Sequence, residues 1–405
     1  MKNTRLTSSD HLRRAFPFLL LAVYGIFLCS YFIFNDYSKP YQFYARVVFI
    51  PSLFVVVGSI RNVWKHPLFQ MIVAYILYLL LSGFWSDPLD WYRFGQKATI
   101  AVNLISFIAV TYFLVQWNHS FFEYMLQACA LFAAAAAVIN IVVFYGDNSF
   151  PTARLTPIRS LTNINESSNV YGIFALLAAF FVMRFPGRKL NWVFIFSIGA
   201  FICVAWFGQS RTAFTALIIA LLTLVSLMQK NKRLLCLAAL TALTCLLFVA
   251  FPEVVGQLFE RGPGLRPLIW AAVWDEAQSA PVFGHGLAST LSVGISGYTF
   301  ETAHNAFLML FWQGGAVGVM IFLLLLVVAF RHAWSLGQQR GDFSIFCILI
   351  FAVCTMMTGV DTLIERPRDQ WMLFWFPLAL LLSYQSGASR TRLHTARSAS
   401  QLTSV

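Results

Sequence analysis

The sequence predicts an all-α polytopic integral membrane protein with about 12 transmembrane helices. First, 59% of the residues are hydrophobic and only 11% are charged, which excludes a soluble globular protein. Second, apolar runs long enough to cross a bilayer, roughly 20 residues each, recur along nearly the whole chain. Third, the run that follows Arg13-Arg14 continues from Ala15 to Phe34. Because that run is long enough to span the membrane and remain there, we expect no cleaved signal peptide.

Twelve predicted spans can be placed in order. They cover residues 15–34, 45–60, 67–85, 97–116, 121–145, 168–184, 191–208, 212–229, 234–251, 303–330, 343–361 and 370–384. The second run is short and the fifth is long, so 11 or 13 spans would also fit. Residues 1–384 are expected to form a single membrane domain. Residues 385–405 are rich in Ser, Arg and Thr, which predicts a disordered cytoplasmic tail.

The distribution of charge orients these spans. With both termini in the cytoplasm, 17 of the 28 basic residues fall in the inner segments and 13 of the 16 acidic residues in the outer ones. A basic bias in short loops is the signal that sets membrane orientation. The net charge of +12 therefore indicates topology and contact with anionic membrane lipids, and no nucleic-acid partner is expected. The longest outer segment is the loop at about residues 252–302.

His304 stands at the head of the tenth apolar run, in the stretch FETAHNAFLMLFWQGG. Asn305 follows it, and Gly314, Gly315 and Gly318 in the same run predict close contact with a neighbouring helix. On its own, the histidine could be an interfacial anchor or a functional group. The choice depends on what surrounds it.

Arg211 lies in GQSRTAF, residues 208–214, between the seventh and eighth spans. That connection is only a few residues long, and an arginine held at a membrane boundary is costly without a partner. Two interpretations remain open: a binding residue, or an arginine at a helix end whose guanidinium reaches out to water.

Residues 261–286 predict an amphipathic helix of about three turns. Pro267 fits the first turn, and apolar residues recur behind it at helical spacing. Arg266 would start this helix, with Trp270 one turn later and able to pack beneath the guanidinium. An arginine at a helix amino terminus favours an anion, especially phosphate. The alternative is an ordinary interfacial helix lying on the membrane.

The predicted topology puts these three signals on the same outer face. Two arginines and a histidine at the outer membrane boundary suit a lipid ligand that carries phosphate. This shared location favours a functional site over three unrelated interfacial residues.

Three short patterns, in this order and spacing, resemble the O-antigen ligase family. They are Ser210-Arg211-Thr212, then Arg266-Pro-Leu-Ile-Trp270 with Gly284-His-Gly286 after it, and finally His304-Asn305-Ala-Phe307-Leu308. The resemblance implies a membrane glycosyltransferase with a GT-C-like fold, active on the periplasmic side of the bacterial inner membrane. Members transfer a preassembled glycan from undecaprenyl diphosphate to the lipid A-core oligosaccharide, with no cofactor and no required metal.

The resemblance also implies roles for individual residues. Arg211 and Arg266 would bind the diphosphate. His304 would be the base that takes a proton from the acceptor hydroxyl, which then attacks the anomeric carbon with inversion. From its place at the outer end of the eleventh span, and not from the resemblance, Asp361 could orient His304 by accepting its other ring proton. The remaining possible accessory residues are Arg154, Arg159, Trp270, His285 and Asn305.

Two rival functions remain at the level of sequence. An O-antigen polymerase of the same fold would use a second lipid-linked glycan as acceptor; the compact outer loop favours a ligase. A membrane transporter or lipid flippase would concentrate polar residues near mid-membrane. Here the polar candidates gather at one face, which disfavours transport.

Overall fold

The computed structural model describes residues 8–36, 38–157, 159, 163–228, 230–260, 262 and 264–384. The predicted cytoplasmic tail, residues 385–405, lies outside them.

The predicted all-α architecture is confirmed. The helices are α1 (Ser8–Ile33), α2 (Ser38–Val63), α3 (Pro67–Trp85), α4 (Trp91–Trp117), α5 (His119–Asp147), α6 (Ile164–Arg184), α7 (Leu190–Phe207), α8 (Arg211–Ser226), α9 (Lys230–Ala250), α10 (Pro252–Glu260), α11 (Arg266–Ala277), α12 (Ala306–Arg340), α13 (Ser344–Met356) and α14 (Trp371–Tyr384). Within the described ranges, the strands are β1 (Val293–Ile295) and β2 (Tyr298–Phe300), which pair as an antiparallel hairpin.

The long apolar helices fit a multi-pass membrane protein. Among the described residues, nine helical segments are long and apolar enough to cross a bilayer. Three shorter apolar helices, α8, α13 and α14, complete the set. Together these segments overlap the twelve apolar runs predicted from sequence, while the number that actually cross the membrane stays a prediction.

The last helix lies in the core of the bundle. Every residue of α14 is buried, and the Trp371 ring packs against those of Phe27, Tyr44 and Phe107. Helix α6 is also largely enclosed, packed against α7, α8 and α13. Helices α6 and α14 are thus enclosed by the other helices, and the loops at their ends are held in fixed positions.

Helix α12 is broken by Gly315, whose φ of 61° and ψ of −164° are not helical. The preceding loop docks at this break: the Ala316 amide donates to the Pro281 carbonyl (2.9 Å), and the Gly286 amide donates to that of Gln313 (2.8 Å). These bonds satisfy backbone groups that a broken helix leaves free. They fix the long loop to the start of α12.

The glycines of α12 partly follow the prediction. A Cβ on Gly314 or on Gly318 would lie 3.0 to 3.2 Å from the ring of Tyr78, so both allow the close approach of α3. The Tyr78 hydroxyl also donates to the Gly314 carbonyl (2.6 Å). Gly315 has a different role, since it supplies the backbone break.

A helix is confirmed at the predicted place as α11. Ile269, Val273 and Ala277 of the predicted apolar face pack on protein, whereas Trp274 is exposed. The buried cluster consists of Ile269, Val273, Ala277, Leu291, Val293, Ala303, Met309 and Trp312. Those residues come from α11, the hairpin segment and α12. Because this face is covered by the hairpin and α12, helix α11 is held beside the start of α12.

Candidate active site

The segment around His304 is held from both sides. Asn305 caps α12: its side-chain oxygen accepts from the amides of Phe307 (3.0 Å) and Leu308 (3.2 Å). On the other side, the Trp270 indole N–H donates to the Ala303 carbonyl (2.8 Å). His304 itself has a φ of 49°, a left-handed conformation uncommon outside glycine. Such strain persists where the surroundings fix it, which is typical of functional positions.

The imidazole of His304 is paired with a carboxylate. Its Nδ1 lies 2.9 Å from Oδ1 of Asp361, in the segment between α13 and α14. The contact with Asp361 raises the pKa of His304 above its ordinary value; burial and the positive charge of Arg266 oppose this. A carboxylate on one ring nitrogen fixes the orientation of the ring and strengthens it as a base.

The two predicted arginines lie close enough to repel each other. Burial lowers the pKa of Arg266, the positive charge of Arg211 lowers it further, and Asp361 acts in the opposite direction. Arg266 is half-buried as the first residue of α11, whereas Arg211 is exposed and donates to the Leu258 carbonyl (3.4 Å). Guanidinium groups stay charged at any physiological pH, so this pair is suited to bind an anion with more than one negative charge.

The turn that carries Arg211 is fixed to other helices. Gln209 has a φ of 50°, and its Nε2 donates to Oε1 of Gln257 (2.6 Å) in α10. The Ser210 hydroxyl donates to Oδ1 of Asn165 (2.9 Å) at the start of α6. Arg154 Nε donates to the Gly208 carbonyl (3.0 Å), which brings this accessory candidate to the same turn.

A cavity of about 190 Å³ joins the groups from these separate segments. It is lined by Asn163, Asn165, Glu166, Arg266, His304, Gly359, Val360, Asp361, Thr362, Glu365, Arg368, Asp369 and Gln370. The predicted trio is therefore split: Arg266 and His304 line the cavity directly, and Arg211 approaches it beside Arg266.

Four charged residues of this cavity were not predicted from sequence: Glu166, Glu365, Arg368 and Asp369. Arg368 Nη1 lies 3.7 Å from Oε1 of Glu166, and Asn169 Nδ2 donates to Oδ2 of Asp369 (2.7 Å). Burial raises the pKa of Asp369 well above its ordinary value, and the charge of Glu166 raises it further. A signal for Glu365, Arg368 and Asp369 was present in the sequence: the closely spaced charges of ERPRDQ, residues 365–370, lie between two apolar runs.

Two larger spaces lie close to the segment around His304, one lined by Thr302 and the other by Asn305. A polar cleft of about 640 Å³ shares Asp361, Glu365 and Arg368 with the 190 Å³ cavity. An apolar groove of about 910 Å³ runs along α12 from Trp270 and Asn305. The segment around His304 therefore lies where a polar space and an apolar space meet.

Of the accessory candidates, Asp361 lines the 190 Å³ cavity, and Arg154, Trp270 and Asn305 support the segments that carry Arg211 and His304. Arg159 and His285 have other contacts. Arg159 donates to Oδ1 of Asn35 (2.5 Å) and lines a separate, mostly apolar pocket. His285 stacks on Trp312, with ring centroids 5.0 Å apart, and its Nε2 lies 3.2 Å from the Ser279 hydroxyl. These contacts give His285 a place in loop packing.

The indole N–H of Trp270 donates to the carbonyl of Ala303, the residue before His304. Among the described residues, no cation–aromatic contact joins Trp270 to Arg266.

The part of the chain that the structure describes contains no group of three or more His, Cys, Asp or Glu side chains placed to hold a metal ion.

Two comparisons show which known proteins this chain is similar to. A family model described as O-antigen ligase matches residues 201–323, a range that contains Arg211, Arg266 and His304. The chain is also 27% identical to the O-antigen ligase of Pseudomonas aeruginosa over 364 residues, 87% of each chain. The resemblance to the O-antigen ligase family is confirmed. These similarities support a glycosyltransferase-type membrane enzyme of lipopolysaccharide biosynthesis.

Proposed function

We propose that this protein is an O-antigen ligase of the bacterial inner membrane. It transfers a preassembled glycan from undecaprenyl diphosphate to the lipid A-core oligosaccharide, at an active site that faces the periplasm, with both termini in the cytoplasm. The observation that carries this proposal is the cavity in which an aspartate-paired histidine and an arginine face each other.

The proposed chemistry follows from the charges of the substrate. Arg211 and Arg266 bind the diphosphate and stabilise the negative charge that it gains as the leaving group. His304, held by Asp361, takes the proton of the acceptor hydroxyl, whose oxygen attacks the anomeric carbon. Attack opposite to the leaving diphosphate inverts the configuration. Because diphosphate leaves without being protonated, no carboxylic acid of the glycosidase kind is needed.

The two larger spaces support a substrate with an apolar tail and a polar acceptor. The groove along α12 is almost entirely apolar and begins at Trp270 and Asn305, next to His304, so it suits the polyprenyl chain. The polar cleft beyond Asp361 leaves room for an oligosaccharide. In this arrangement the two substrates approach the histidine from different sides.

The test is complementation of a bacterium that lacks this gene, with lipopolysaccharide ladders read on a gel. Wild type should restore long ladders. His304→Ala should abolish them while donor binding persists, since a general base contributes a factor of roughly 10²–10⁴. Arg266→Ala should weaken donor binding instead. His285→Ala is the matched control at equal membrane levels, because it removes a histidine of the same loop from outside the cavity.

Each rival function gives a different gel. A null strain whose lipopolysaccharide carries only single repeat units would identify a polymerase. Ladders unaffected by deletion would point to a transporter or flippase. Normal transfer by His304→Ala would refute the assignment of the base.

A further inference from the structure

Glu166 is a buried carboxylate that the proposed transfer chemistry does not use. It lies in the first turn of α6 and is only 8% exposed. Its Oε1 faces Arg368 at 3.7 Å. Its Oε2 is buried and accepts no hydrogen bond from any part of the chain that the structure describes. A buried acceptor without a donor costs about 1–3 kcal/mol, and more when it is charged.

The chemistry of this oxygen limits what could bind to it. In its ionised form the carboxyl group of Glu166 only accepts hydrogen bonds, so the partner of that form must offer a hydroxyl or an amide N–H. The diphosphate of the proposed donor carries negative charge and would be repelled. The polyprenyl chain has no donor group. Of the three parts of such a lipid-linked glycan, only the sugar has hydrogen-bond donors for this carboxylate.

The position of Glu166 then selects the sugar. Glu166 lines the same 190 Å³ cavity as Arg266 and His304. With the diphosphate on the arginines and the attacked carbon near the histidine, the sugar bonded directly to the diphosphate must occupy this cavity. Asn163 and Asn165 also line it. Carboxylate and amide groups together suit a ring with several hydroxyls.

We infer that Glu166 recognises the first sugar of the donor, by accepting a hydrogen bond from a hydroxyl or acylamino N–H of that sugar. The inference rests on the proposed function, since it assumes a diphosphate-linked glycan on Arg266. It gives the enzyme a means to prefer loaded donor over the undecaprenyl diphosphate that is left after transfer. Arg368 has a supporting role, because its positive charge beside Oε1 opposes the effect of burial, which raises the pKa of Glu166 to about 7.

The experiment compares two lipids binding to the purified full-length protein in lipid nanodiscs. One is undecaprenyl diphosphate, and the other is the same lipid trimmed to the first sugar of the native glycan. Glu166→Ala should weaken binding of the sugar-bearing lipid roughly 10- to 100-fold, the range for a hydrogen bond to a charged group, and leave the bare lipid unchanged. Glu166→Gln should lose less, because its amide oxygen still accepts a neutral hydrogen bond.

Glu123 offers a matched control. It is 6% exposed, and its Oε1 lies 3.5 Å from Nε of Arg184, so it too is a buried, arginine-paired carboxylate. Glu123 lies near the start of α5, beside Arg184, the last residue of α6. Because α6 has 21 residues and is therefore about 30 Å long, this ion pair lies at the opposite end of α6 from Glu166. Glu123→Gln should bind both lipids like wild type. Thermal unfolding of all variants in detergent checks that each is folded.

The outcomes separate this inference from the proposed function. Selective loss of the sugar-bearing lipid in folded Glu166 variants supports the inference. Equal loss of both lipids, or no loss, overturns it and leaves the ligase proposal intact. If wild type and Arg266→Ala bind both lipids equally well, the proposed function itself fails.

Discussion

The pairing of His304 with Asp361 makes a prediction that separates catalysis from folding. Asp361→Asn keeps the shape of the side chain and removes its charge. The two side chains are 40% and 31% exposed, and ion pairs at such exposure are worth about 1 kcal/mol or less. Folding should therefore barely change. Transfer should fall at least tenfold, within the roughly 10²–10⁴ that a general base supplies, because the ring loses its orientation.

The same variant should change the pH dependence in a defined direction. The base works when neutral, so wild-type transfer is lost as pH falls through the pKa of His304, which Asp361 raises. Removing the carboxylate destabilises the charged imidazole and lowers that pKa, so the acidic limb of kcat/KM should move to lower pH. The assay is transfer from lipid-linked glycan in nanodiscs across a pH series. Asp147→Asn, an exposed change at the end of α5, is the control. An acidic limb that stays in place or moves to higher pH would refute the reasoning.

Three further predictions concern the support of the site. Trp270→Phe removes the hydrogen bond to Ala303, worth about 0.5–1.5 kcal/mol, so transfer should drop up to roughly tenfold with unchanged expression; an unaffected rate would discard this support. Gly315→Ala should lower the free energy of unfolding in detergent by about 1–3 kcal/mol or more, because its conformation suits glycine and a Cβ would collide with the Val282 carbonyl. Gly58→Ala, in open space within α2, should cause no loss, since alanine forms helix better than glycine. Transfer should persist in EDTA, and a strict metal requirement would point to another class of membrane glycosyltransferase.

The candidate site could be predicted in part because some of its members have a local signal. Pro267 predicts where α11 begins and so places Arg266 at a helix terminus. The polar His304-Asn305 pair before a long apolar run predicts a helix start, and Asn305 does cap α12. Glu166 gives no such signal. A carboxylate in a polar loop just before an apolar run reads as an ordinary solvated residue, and only the fold shows that it is buried.

The sequence by itself determined the class of this protein. In a bilayer, a long apolar run can satisfy its backbone hydrogen bonds within itself only as a helix. Composition and run length were therefore sufficient to predict an all-α membrane protein. Only the tertiary structure decided which charges meet. Asn169 and Asp369 are 200 positions apart in the chain and hydrogen-bonded in the fold, and Glu166 and Arg368 pair beside them. The number of residues between two helices in the sequence does not tell how far apart the helices lie in space. The packing of α6 against the segments around it fixes that distance.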